Sequence, residues 1–369
     1  MVEMRPANEA ELSALLQDRT GPLRIRGGGT RTLWFGGAAE VLDCSALSGT
    51  TLYEPGALTL VAGAGTPLAE VEQALAAESQ RLPFEVPDLR GLLGTAGVST
   101  LGGVVAANAS GPRRLQAGAC RDSLIGLRFV DGTGMAVKNG GRVMKNVTGY
   151  DLVKLLAGSH GTLGVLTEVS FKLLPVPAAS ATLVLRGLDD VSAVQAMATA
   201  LGSPFEVTGA AHWPGEGTFL RIEGFAGTVV YRSGRLARLL ARFGSADLLD
   251  GEDSARQWQA IRDVAPFHGQ PGDVWKLSVK PSDAPGLVAH LGAEAVLYDW
   301  GGGLVWVRTA PGTDLRARLG AFDGHATLIR ADRPVAPVFQ PQPAALAALA
   351  TALRRKFDPR GILNPGLMG

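Results

Sequence analysis

The run from Gly91 to Asp122, GLLGTAGVSTLGGVVAANASGPRRLQAGACRD, limits what this chain can become more than any other stretch. It holds seven glycines among alanines and serines, with Val104 and Val105 as the bulky aliphatics at its middle. Such a run packs poorly as a core. Glycine has no Cβ to hold the backbone away from a ligand, and it reaches positive φ without strain. Backbone N–H groups left open in this way can converge on phosphate or ring heteroatoms. Two readings follow: a ligand cradle, or a string of tight turns in a β-rich protein. A second glycine cluster upstream and a third downstream favour the cradle.

Upstream, apolar residues at Ala10, Leu12, Leu15 and Leu16 predict a short helix over Pro6–Gln17 capped by Asn8. A strand over Leu23–Arg26 then breaks into Gly27-Gly28-Gly29-Thr30, a turn whose N–H groups suit a pyrophosphate; a plain hairpin turn is the alternative. Gly63 and Gly65 lie between a strand and a helix over Pro67–Ser79, which invites a dinucleotide fingerprint. Leu68 occupies the place of its third glycine, and no acidic residue follows a second strand, so that reading fails. Downstream, Ser123–Val130 and Met135–Lys138 read as strands joined by a two-residue turn within Asp131-Gly132-Thr133-Gly134. A helix over Asp151–Ala157 ends at Gly158, and Gly161–Gly164 turns into a long strand, Val165–Leu174.

Composition narrows the class. With 369 residues, 46% hydrophobic content and a net charge of +1, the chain is expected to be a globular protein of two domains or of one with an insert. No charge block suggests nucleic acid, no apolar run suggests a transmembrane segment, and MVEMRPANEAEL lacks the apolar region of a signal peptide. Cys44 and Cys120 sit outside any CxxC and cannot alone hold an iron–sulfur cluster or zinc. The expected setting is cytoplasmic.

Taken together, RGGGT at 26–30, TLGGVVAANASGPRR at 100–114, GACRDSLIGLRFVDGTG at 118–134, the block at 145–175 and FDPRGILNPGLMG at 357–369 resemble the FAD-binding domain of the vanillyl-alcohol oxidase, or PCMH, type. YDWGGGLVWVR at 298–308 and HATLIRADRPVAPVFQP at 325–341 resemble, within that family, the smaller FAD-binding subunits of bacterial glycolate oxidases. The resemblance implies an α+β fold: a PCMH-type two-subdomain FAD-binding domain, residues 1–175 plus 340–369, with an inserted α+β cap domain, 176–339. It implies cofactor contacts at Arg26, Gly27, Gly28, Gly29, Thr30, Thr100, Gly102, Gly103, Asn108 and Ser110. Asp88 through its backbone, Arg121, Asp122, Gly161, Val165 and Asn364 complete the implied set. Family members with covalent flavin often carry histidine after the glycine turn; Thr30 stands here, so the expected FAD is non-covalent. Cys120 reads as a buried, inert thiol.

Between 176 and 339, apolar stretches at 181–188, 219–223, 229–232, 274–279, 295–298 and 304–308 alternate with helices over Val191–Leu201, Ser233–Phe243 and Ala284–Leu291. This predicts a sheet covered by helices on one face. A helix over Pro343–Arg355 is expected to pack back on the FAD domain. Metal-assisted relatives use a histidine cluster with an acidic partner. His160, His212, His268, His290 and His325 show no such spacing, and no metal is expected. His160 reads as structural; His325 and Arg330 are the first candidates for the flavin face, and Lys276 and Lys280 the next. The implied function is the FAD-binding subunit of a glycolate dehydrogenase (glycolate oxidase) complex, oxidising a small 2-hydroxy acid beside a homologous larger FAD subunit and an iron–sulfur subunit. These partners would make any contact with the inner face of the plasma membrane. The alternatives are a free-standing FAD-dependent 2-hydroxy acid oxidase and a non-catalytic FAD-binding assembly subunit.

Overall fold

A computed structural model describes residues 3–31, 33, 39–141 and 149–368. Of the fourth resemblance block, residues 145–148 lie outside this set. Helix Glu9–Asp18 begins at the expected cap: Asn8 Oδ1 accepts from the Glu11 N–H at 3.0 Å, and the Glu11 carboxylate accepts from the Ala7 N–H and the Asn8 amide. That reciprocal arrangement satisfies groups a helix start leaves open. Leu12 and Leu16 are buried against Leu23, Leu42, Ile362 and Leu363. Strands Glu3–Met4, Glu40–Asp43 and Leu23–Arg26 pair in parallel in that order. A parallel neighbour requires a crossover, and the RGGGT turn lies in it.

A second, antiparallel sheet runs Thr50–Glu54, Thr59–Gly63, Val165–Lys172, Leu124–Val130, Ala136–Gly140. Helices Leu68–Ala77 and Leu101–Ala106 join its core through Leu68, Val71, Leu75, Leu101, Val104 and Val105. The hairpin after Val130 is wider than the two residues expected. Asp131 Oδ1 collects the N–H groups of Thr133 and Met135 and the Thr133 hydroxyl, which opens the turn to residues 131–135.

Residues 179–330 supply all of an eight-stranded antiparallel sheet. Its order is Ala246–Asp250, Ala179–Leu185, Gly217–Gly224, Val207–Trp213, Ala295–Asp299, Leu304–Thr309, Asp273–Val279, Gly324–Arg330. Helices cover both faces, not one. Asp190–Leu201 and Ala226–Leu240 bury Met197, Leu236 and Leu240 with Trp275 on one side. Gly251–Arg262 packs Trp258 and Ile261 on the other, together with Leu92 from the central stretch. The apolar stretch 229–232 is helical, because Val229, Ser233, Leu236 and Leu240 form a buried stripe at three- and four-residue spacing.

The two parts meet across a buried ionic junction. Glu223 on the eight-stranded sheet accepts from Arg113 at 2.6 and 3.1 Å and from Arg81 at 3.1 Å, while Arg221 donates to Glu85 at 2.8 and 3.2 Å. Side chains of Arg113, Arg221 and Glu223 are all less than a tenth exposed. Each carboxylate and each guanidinium therefore has an oppositely charged partner within the junction, three arginines sharing two glutamates, which is the condition for keeping ions in an apolar interior. The terminal helix, Ala344–Phe357, departs from expectation: none of its residues is buried, and Leu346 and Leu349 are exposed. It is anchored at its end, where Phe357 meets Phe129 and Arg354 donates to the Leu367 and Met368 carbonyls. Beyond it, buried Asp358 caps the Ile362 and Leu363 N–H groups, and Leu363 bridges to Leu23.

Candidate functional site

The glycine turn is fixed by close backbone packing. A Cβ on Gly27 would collide with Thr100 Oγ1, and one on Gly28 would lie inside the Val98 carbonyl. Gly29 has φ +73°, with only Arg26 Cδ in reach of a Cβ, at 3.8 Å, a conformation that selects glycine. Among the described residues, the N–H groups of Gly27, Gly28 and Thr30 have no acceptor. Three open donors on one turn make an anion nest. Across from it, Thr100 Oγ1 caps helix Leu101–Ala106 by accepting the Gly103 N–H at 3.4 Å. Gly102 is pressed against Ala64, whereas a Cβ on Gly103 would meet only Thr100 Oγ1, at 3.4 Å. Gly103 thus leaves its side-chain direction empty.

A third turn closes the groove. His160, at φ +50°, donates its N–H to the Ala106 carbonyl at 2.9 Å. Asn364 is a clasp: Oδ1 accepts from the Ile25 N–H at 2.8 Å and Nδ2 donates to the His160 carbonyl at 2.7 Å. Two adjoining spaces of about 640 and 460 Å³ follow this groove and share Gly27, Thr100, Gly103 and Asn364. A third, of about 790 Å³, lies between the central stretch and the eight-stranded sheet, with Asn108 and Ser110 on one side and Lys276, Trp306 and Thr327 on the other. His160 borders all three.

Most of the expected cofactor residues converge here. Arg26, Gly27, Gly28, Gly29, Thr30, Thr100, Gly103 and Asn364 line the first space; Gly102, Gly161 and Val165 line the second; Asn108 and Ser110 line the third. The Arg26 guanidinium is held by Asp43 at 2.9 Å. Three expected residues, Asp88, Arg121 and Asp122, border none of the three spaces. The Asp88 N–H is already donated to Asp263 at 2.8 Å and its carboxylate binds Arg90, so Asp88 braces the junction beside the cavity. Arg121 and Asp122 are half exposed and border none of the three spaces; Asp122 instead accepts the Ala119 N–H, holding the loop. Cys120 is fully buried away from the groove.

The first catalytic candidates also lie outside the three spaces. Arg330 spends its guanidinium on the carbonyls of Leu92, Phe267, Gln270 and Gly272, at 2.7–3.3 Å. It is a structural tie. His325 faces Ser278 across the strand pair, outside the cavity that Thr327, two residues on, lines; burial lowers its pKa. Lys280 is exposed at 68%. Lys276 is the residue that reaches the cavity, and burial lowers its ammonium to about 8. Burial lowers His160 to about 4, with Lys276 adding to the effect, so its imidazole is neutral near pH 7. Arg31, which sequence reading passed over, donates to Ser99 Oγ at 2.6 Å and the Pro87 carbonyl at 2.9 Å beneath the cavity. The available signal for Lys276 was a lone cation between Trp275 and Leu277 in an apolar strand.

A glycine turn with open donors thus leads through a small-residue groove into a cavity under a second sheet, and likeness to known proteins defines the chain as an FAD-dependent oxidoreductase. A family described as an FAD binding domain matches residues 2–140. Solved structures of alkyldihydroxyacetonephosphate synthase share the fold, with a TM-score of 0.70 at 16% identity over 98% of this chain and 75% of theirs. The glycolate oxidase subunit GlcE of Escherichia coli is 36% identical over 363 residues, 97% of this chain and 95% of that one. The chain therefore belongs to the FAD-binding glycolate oxidase subunit family. More locally, the glycolate oxidase subunit GlcD of Bacillus subtilis is 33% identical over 194 residues, 48% of this chain and 38% of that one. A D-lactate dehydrogenase of Archaeoglobus fulgidus is 33% identical over 181 residues, 47% of this chain and 39% of that one.

Proposed function

We propose that this chain is the FAD-binding subunit of a glycolate-oxidising complex, acting on a small 2-hydroxy acid. One observation carries the reading: the open donors of Gly27, Gly28 and Thr30 and the empty wall at Gly103 run past His160 into the cavity beneath the second sheet. The nest suits a pyrophosphate; the Thr100–Ala107 and Gly161–Val165 backbones suit the nucleotide and ring. FAD supplies hydride acceptance from the substrate α-carbon and onward electron transfer. The chain's own residues supply its binding and orientation, and the sheet above keeps water from the ring. With threonine at position 30 and Cys120 buried elsewhere, the cofactor is held non-covalently.

In this reading, 1–175 with 340–369 form the cofactor domain and 176–339 the cap. The family's partners are subunits of one complex, and we assign to this chain a homologous larger FAD subunit and an iron–sulfur subunit as its route to an acceptor. Among the described residues, no helix is long and apolar enough to cross a membrane. Its place is the cytoplasm, with any contact at the inner membrane face made through partners. Co-purification tests this: tagged chain expressed with the two partners should bring both down with glycolate-dependent dye reduction. Recovery of the chain alone, in cells making all three, would refute it.

A further inference from the structure

The cavity beneath the eight-stranded sheet contains a cation with no hydrogen-bonded counter-ion; the nearby Asp299 carboxylate acts on it only at longer range. Lys276 lies on the inner face of strand Asp273–Val279, with Trp306 as its neighbour on one side and Thr327 on the other. Its Nζ sits 5.4 Å from the Trp300 ring and 5.8 Å from that of Trp306. Among the described residues it has no hydrogen bond and no ion pair. Aromatic faces offset part of the cost of taking an ammonium out of water, yet a buried cation ordinarily keeps a hydrogen-bonded counter-ion.

Three of the other polar groups near it are committed. Arg114 donates to Ser110 Oγ and stacks on Trp300; Arg31 is tied to Ser99 and Pro87; Asp299 accepts the Trp300 N–H at 2.7 Å. His325 lies two residues from Thr327 on the same strand face, outside the cavity lining but near enough for Lys276 to lower its pKa, after burial and Arg316. Besides the Asn108 amide, which uses only its Oδ1, the open group on this cavity is His160. Its ring packs against Phe339 at 5.1 Å, borders the same cavity as Lys276, and makes no hydrogen bond among the described residues. A lone ammonium and an open imidazole thus share an otherwise largely apolar space with the Thr327 hydroxyl.

We propose that this recess is a carboxylate-binding substrate site belonging to this chain: Lys276 receives the carboxylate of a short 2-hydroxy acid, and His160 accepts the hydrogen bond of its hydroxyl. The anion replaces the counter-ion Lys276 lacks, and the indoles of Trp300 and Trp306 shield the pair, where a charge-assisted contact is stronger than in water. The site deepens the function proposed above. It also makes this chain a substrate-binding subunit and not only a carrier of cofactor.

The test uses the full purified chain loaded with FAD and titrated calorimetrically with oxalate, a dicarboxylate that cannot be oxidised by hydride loss. Lys276→Met should weaken oxalate on the order of 100-fold, as removal of one partner of a desolvated charge pair does, while FAD affinity stays within about twofold of the parent. Lys276→Arg should recover most of the loss, and His160→Gln should show a smaller deficit, about tenfold, from one hydrogen bond. Equal oxalate affinity in the parent and Lys276→Met overturns the proposal. So does FAD-loaded parent protein that takes up no oxalate. Should the chain bind oxalate through Lys276 yet take no FAD, the recess stands and the cofactor assignment falls. If Lys276→Met fails to fold, the ¹³C resonance of reductively methylated Lys276 is followed in the parent: a shift on oxalate addition supports the site, and none overturns it.

Discussion

Gly103→Ala separates the cofactor groove from the stability of the fold. Gly103 lies within helix Leu101–Ala106, and an added methyl would touch only Thr100 Oγ1, at 3.4 Å. Alanine in a helix is favoured over glycine by roughly 0.8–1 kcal/mol, so the variant should be as stable as the parent or slightly more so without cofactor. The same methyl projects into the groove that Gly103 lines with Gly27 and Thr100. Forcing a methyl into a filled site costs about 1–3 kcal/mol, which corresponds to a loss of FAD affinity of about 5- to 150-fold. Chemical unfolding of the apoprotein and FAD binding by flavin fluorescence quenching measure the two effects separately. Gly28→Ala is the contrasting variant: its Cβ overlaps the Val98 carbonyl, so fold and cofactor binding should be lost together. Unchanged FAD affinity in Gly103→Ala would refute the placement of the cofactor. A large loss of apoprotein stability would refute the claim that this position faces open space.

Three more outcomes follow. His160 titrates near 4 when folded and 6.5 when free, so stability should begin to fall as pH drops through 6.5. The loss should be complete below 4, up to roughly 3 kcal/mol; unfolding of the parent against His160→Gln across pH 4–7 measures it, and identical slopes would discount the shift. Glu223→Ala leaves Arg81 and Arg113 without their shared carboxylate. It should cost about 3–5 kcal/mol, read by denaturant unfolding; a cost below 1 kcal/mol would mean water already screens the junction. Arg330→Ala removes five hydrogen bonds to four carbonyls and should lower stability by about 2–4 kcal/mol, with FAD and oxalate affinities unchanged. A selective loss of oxalate binding would restore Arg330 to the site.

The parts of this molecule legible in sequence are those whose reasons are local. The Asn8 cap and the need for glycine at 29 arise from contacts within a few residues or from φ itself, whereas Gly27 and Gly28 are required by Thr100 and Val98, far along the chain. The recess is different in kind. Trp306, Lys276 and Thr327 become neighbours through the register of three strands, and a sheet covered on both faces erases the alternation that would show which way Lys276 points. Arg330 and His325 attract attention as polar residues in a strand, yet side-chain destinations depend on loops far away, such as 267–272 for Arg330. The helix Ala344–Phe357 teaches a related point. Leucine spacing identifies an apolar stripe without identifying what covers it, and here Leu346 and Leu349 stay open.

The visible spectrum of the purified chain, before and after acid precipitation, tests the central claim most directly. A flavin spectrum on the native protein that passes wholly into the acid supernatant is the result predicted for FAD held non-covalently in the Gly27–Thr30 and Gly103 groove. Yellow colour retained in the pellet would contradict the reading of Thr30 and Cys120, and a colourless chain that takes up no added FAD would contradict the groove itself.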